Sequence, residues 1–158
     1  MSELKYGYAY GGHTGVEIPV AASEYFNRQG GHFVIASSNT GYAELADVTA
    51  THLFGYAEVP KDATGYNAWV SSSTAGHDKV FVITDPTAVY AMTIETGASI
   101  VQALVGDNLD LVESGATYTL KQYVDGTTGT TNVLTVLKVD VENDILYVKI
   151  NQSSPGGR

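Results

Sequence analysis

The chain contains no cysteine, so it can form neither a disulfide nor a thiolate metal site. Basic residues are scarce: 8 Lys and Arg stand against 17 Asp and Glu, a net charge of −9. That balance excludes a polyanion-binding role, because phosphate recognition needs clustered Lys or Arg. Charge of either sign is low at 16% of residues, against roughly 25% in a typical soluble chain. A surface so poor in charge repels other chains weakly, and we expect much of it to be covered in the working state. No apolar run approaches a membrane span, and the N-terminal MSELKYGYAY lacks an apolar signal core. The expectation is synthesis and folding in the cytoplasm, with stability coming from packing, hydrogen bonds or other subunits.

What is present is strand signal. The 44% of hydrophobic residues across 158 positions suffices for a packed core. Lys79 to Thr84 (KVFVIT) is apolar at every second position on both faces, which predicts a strand buried on both sides and stopped at Asp85-Pro86. Val133 to Val141 and Ile145 to Asn151 are alternating, β-branched arms. Glu142-Asn143-Asp144 between them suits a short hairpin, because Asn and Asp tolerate left-handed backbone. Val89 to Glu95 and Tyr118 to Val124 read as further strands, and Asp125 to Asn132 (DGTTGTTN) as a Gly/Thr loop.

The first half is weaker. Val16 to Val20 carries a proline and reads as an edge strand or a strand end, while His32 to Ala36, Gly41 to Ala46 and His52 to Val59 read as short strands. Ala21 to Asn27 is read as two helical turns closed by Gly30-Gly31, and Ser99 to Val105 fits strand and helical turn equally. The expected organisation is an extended N-terminal arm (1-15), a small β module (16-60), a linker or long loop (61-78), a β-barrel-like module (79-152) and a flexible tail (153-158). The fold class is all-β, built from one or two small barrel or sandwich modules. A module the size of 16-60 is marginal alone and must lean on the second or on another chain.

Catalytic patterns are missing. His13, His32, His52 and His77 are too far apart in sequence to place two ligands on one strand or helix face. Asp107 to Asp110 and Asp140 to Asp144 are rich in oxygen ligands but lack the EF-hand order, and read as polar turns. Ser71-Ser72-Ser73 with His77-Asp78 holds the residue types of a triad without its spacing, and no G-x-S-x-G or phosphate loop occurs. The expectation is a non-enzyme with no metal and no cofactor.

The 11 tyrosines suit strands and contact surfaces alike. LKYGYAY stands out, since period 2 puts Leu4, Tyr6, Tyr8 and Tyr10 on one face and Lys5, Gly7 and Ala9 on a nearly flat other face. We expect those rings to fill a groove on a neighbouring subunit. The alternative is that the arm folds back as an edge strand of its own sheet. Tyr66 and Trp69, in a polar stretch, complete the candidate interface.

Two stretches, Val16 to Lys61 and Ala103 to Asn151, carry a resemblance. Val105-Gly106-Asp107-Asn108 followed by Leu109-Asp110-Leu111-Val112, the Gly/Thr loop, and the ending Val148-Lys149-Ile150-Asn151 are its main pieces. Together they resemble the small decoration or cement proteins of tailed bacteriophage heads. That resemblance implies a β-rich protein without chemistry of its own. Such a protein binds the outside of the capsid, bridges capsomers of the major capsid protein and acts as a homo-oligomer. Its location is then the virion, assembled in the bacterial cytoplasm. The family has no fixed motif, so no residue role is carried over. A carbohydrate-binding or adhesive module of a phage tail or cell surface, stacking sugars on Trp69 and Tyr66, is the alternative. A self-assembling tube or fibre subunit is another.

Overall fold

The computed structural model describes residues 7–27, 30–59, 68–95, 97–115, 121–126 and 130–152. In chain order the strands are β1 (Gly7–Tyr10), β2 (Gly15–Pro19), β3 (Tyr25–Asn27), β4 (Phe33–Ala36), β5 (Ala43–Leu45), β6 (Gly55–Glu58) and β7 (Ala68–Val70). They continue with β8 (Lys79–Ile83), β9 (Val89–Met92), β10 (Asn108–Leu109), β11 (Leu111–Ser114), β12 (Lys121–Val124), β13 (Leu134–Asp140) and β14 (Ile145–Ile150). The protein is all-β: among the described residues the only helical element is a single 3-10 turn at Gln102–Leu104.

Two five-stranded sheets dominate: sheet A in the order β1-β9-β14-β13-β10, and sheet B in the order β2-β8-β6-β4-β5. Two-stranded sheets β11-β12 and β3-β7 complete the fold. Sheet B curls at one end, where Val20 bridges Ala43 on the opposite edge. It does not close into a barrel.

Sheet B is covered on both faces, and strand alternation explains how. Phe33, Tyr56 and Ile83 face one way, into a cluster with Tyr90, Met92, Leu134, Leu146 and Val148 of sheet A and Leu111 and Val124 of the β11–β12 sheet. Their chain neighbours Val34, Ala57 and Val82 face the other way, into a smaller cluster with Val20, Phe26, Ala43 and Val80, closed by Trp69. Both faces of β8 are therefore buried, as KVFVIT predicts. Among the described residues sheet A is covered on one face only: Leu146 and Val148 are buried, whereas Tyr147 and Lys149 between and after them are half-buried. The two halves of the chain share the larger core.

The chain also crosses between sheets. The expected 79-152 module begins at Lys79, but Lys79–Ile83 lies between β2 and β6 in sheet B. Gly7–Tyr10, the expected arm, lies beside β9 in sheet A. β2 is an edge strand ending at Pro19, as its proline predicts. The β13–β14 hairpin turns through Asp144 at φ 63°, as its Asn-Asp turn predicts.

The helical reading of Ala21 to Asn27 is corrected. Ser23 has φ 55°, and Tyr25–Asn27 pairs with β7 in the register Phe26↔Trp69. Burying Phe26 completely under Trp69 outweighs a short helix, which has too few hydrogen bonds to stand alone.

One side chain joins the β11–β12 sheet to sheet B. Gln122 is 0% exposed. Its Oε1 accepts from the Phe33 amide at 2.9 Å, and its Nε2 donates to the carbonyls of Phe33 at 2.8 Å and Ala46 at 2.9 Å. Gly30 and Gly31 let β12 come this close, since a Cβ on Gly30 would lie 2.8 Å from the Lys121 Cα. On its other side β12 is tied to the segment after β9 by the Val124 amide on the Thr93 carbonyl and the Glu95 amide on the Val124 carbonyl.

Candidate functional site

The tyrosine stripe of the N-terminal strand is divided by a bulge. In β1, Tyr8 pairs with Tyr90 but Tyr10 pairs with Val89, the adjacent residue, so the register shifts between the two rings. Tyr8 turns toward the core, its ring edge-on to Tyr90 at 6.4 Å and to His13 at 4.7 Å, and its hydroxyl donates to the Gly11 carbonyl. Tyr10 is 47% exposed and lies 6.4 Å from the ring of Tyr147. Lys138, the cross-strand partner of Tyr147, holds its ammonium 4.6 Å from that ring's centroid. Tyr10, Tyr147 and Lys138 therefore form an aromatic and cationic group on the uncovered face of sheet A.

β1 is pinned by the chain that follows it. Gly11 has φ 98°, and a Cβ there would lie 2.2 Å from the Thr87 carbonyl oxygen, so the turn requires glycine. The Gly12 amide donates to the Thr87 hydroxyl at 2.9 Å, and the Thr14 hydroxyl donates to Asp85 at 2.8 Å. Hydrogen bonds from the Thr87 hydroxyl and amide, then from the Thr14 hydroxyl, hold the Asp85 carboxyl down at about 2. His13 stacks on Phe81 at 5.4 Å and meets Glu58 at 2.8 Å, which ties the same segment to sheet B.

The other expected interface residues lie apart from this group. Trp69 is half-buried, 5.8 Å from Phe26, and helps close the smaller core, so its ring packs inward rather than forming an open platform for a sugar. Leu4, Tyr6 and Tyr66 lie outside the described residues. Tyr8 and Tyr10 share a strand and separate in direction. Tyr147 and Lys138 were not singled out in the sequence reading. The alternation of Ile145 to Ile150, with Leu146 and Val148 inward, was the available signal.

Groups that carried chemical suspicion have local duties. Asp110, 5% exposed, accepts the amides of Thr130, Thr131 and Asn132 and so shapes the Gly/Thr loop. Asp140 accepts from the Asn143 amide and side chain in the hairpin turn. The Ser71 hydroxyl donates to the Ala21 carbonyl at 2.7 Å and accepts from the Glu24 amide at 2.8 Å, while the Ser72 hydroxyl accepts from the Thr74 amide. His77 contacts Asp78 at 3.3 Å on the surface. His32 is buried, its Nε2 2.9 Å from the Asn27 carbonyl oxygen. Among the described residues no group of three or more His, Cys, Asp and Glu side chains is arranged to hold a metal ion.

No family model, curated protein or solved structure matches the chain.

Proposed function

We propose that this protein is a non-enzymatic structural component of a tailed-phage particle. In this reading it decorates the outside of the head, bridges capsomers of the major capsid protein and works as a homo-oligomer. The observation that supports it is the outward group of Tyr10, Tyr147 and Lys138 beside the edge strand β1. Tyrosine rings offer large contact area, polar tips and little side-chain freedom, the properties of interface anchors, and the Lys138 ammonium lies against one of them. Among the described residues β1 pairs only with β9, so its far edge can receive a strand from a neighbour, with Leu4 and Tyr6 preceding it. The low charge content and the −9 balance suit a protein covered by partners and kept away from packaged DNA. The resemblance of Val105 to Val112 and of the C-terminal hairpin to head decoration proteins points the same way.

The test is co-sedimentation with capsid shells prepared without the protein. Wild type should pellet with the shells, and Tyr10→Asp with Tyr147→Asp should lose about tenfold or more in affinity, the range of a truncated anchor. Full binding by the double variant removes this surface from the interface. Failure of the wild type to bind any shell sinks the decoration reading.

A further inference from the structure

The joint between the β11–β12 sheet and sheet B carries carboxylates as well as the Gln122 clamp. Glu113 is the cross-strand partner of Gln122, so both side chains lie on the inner face of the β11–β12 sheet with Leu111 and Val124. Gln122 grips the Ala46 carbonyl, and the next residue along that chain is Asp47. Asp47 acts on Glu113 from the turn after β5, and Glu24 acts on it from the segment before β3. Glu24 is itself half-buried, with its Oε1 accepting the Leu45 amide at 2.7 Å, and Glu44 on β5 adds repulsion to it. Lys121 pairs with Ser114, which puts it on the opposite face from Glu113 by strand alternation. Glu113 therefore lies at a joint that one side-chain amide clamps, within the repulsive field of half-buried Glu24 and exposed Asp47.

We propose that this joint is a proton-operated seam: it closes when Glu113 is protonated and loosens when Glu113 is charged beside Asp47 and Glu24. Burial, then repulsion by Asp47 and Glu24, pushes Glu113 from 4.5 up to about 7. Burial raises Glu24 as well. Because the folded value lies above the unfolded one, the folded joint binds the extra proton. Its contribution to stability is complete below 4.5 and disappears as pH rises through about 7. The seam therefore loosens on the alkaline side and tightens on mild acidification. Leu111 and Val124, on the same inner face, keep the sheet attached in both states.

The test is amide hydrogen exchange on the intact protein at about pH 6 and about pH 8.5, with protection corrected for intrinsic rates. In wild type, protection of Lys121–Val124 should fall about tenfold across that interval while that of β13–β14 holds. Glu113→Gln should keep the low-pH protection at both values. An unchanged wild type overturns the proposal. So does a fall in Glu113→Gln equal to that in wild type, or one spread evenly over the molecule. If Glu113→Gln fails to fold, Asp47→Asn decides. Removing that repulsion should move the transition to lower pH, and an unmoved midpoint overturns the proposal.

Discussion

Sheets A and B have five strands each, yet B is buried on both faces and A on one. In B, consecutive residues such as Phe33 and Val34, or Val82 and Ile83, enter separate clusters. In A, Leu146 and Val148 enter the core while Tyr147 stays on the open face. The difference separates two uses of the same strand geometry. Sheet B is the structural centre, where the middle strands are constrained by packing on both faces. Sheet A leaves a face whose side chains are free to serve contact.

Substitutions should reproduce that division. Phe33→Ala empties a fully buried site where sheet B meets sheet A and should cost about 3–5 kcal/mol in chemical denaturation. A loss below about 1 kcal/mol would mean that sheet B is not the centre of the fold. Gln122→Leu keeps the volume but strands the Phe33 amide and the Ala46 carbonyl, while the Phe33 carbonyl keeps the Ala46 amide, and should cost about 3 kcal/mol. If stability is unchanged, apolar packing and the backbone bonds of Val124 to Thr93 and Glu95 hold the β11–β12 sheet without the clamp. Tyr147→Ala on the open face should cost no more than about 1 kcal/mol, because the Lys138 and Tyr10 contacts it makes lie outside the core. A larger cost would make the open face structural after all and sharpen the question of what it contacts.

Much of this was legible in local pattern. KVFVIT carries apolar residues on both faces, and both faces are buried. The proline in VEIPV marks an edge, and Pro19 ends an edge strand. Asn143-Asp144 marks a hairpin, and Asp144 takes the left-handed turn conformation. The candidate site was only partly legible. Period 2 groups Tyr8 with Tyr10, but the bulge between them separates the rings, and nothing local in YGYAY announces a bulge. Trp69 stands among polar neighbours, and its cross-strand partner Phe26, which local pattern does not name, draws it inward. That partner lies in the segment read as helical, so local pattern hides the pairing. Pairing between distant segments overrides weak local preference.

By itself the sequence determined the strand-forming character of the chain, the turns that end its strands, and the absence of thiol chemistry. These depend on backbone preference and residue type, which act over a few neighbours. Tertiary structure alone decided that Gly7–Tyr10 joins sheet A, that Lys79–Ile83 joins sheet B, and that Gln122 reaches Phe33 and Ala46. Those outcomes depend on contacts between residues scores of positions apart, where closing the loop costs entropy and only the shared core repays it.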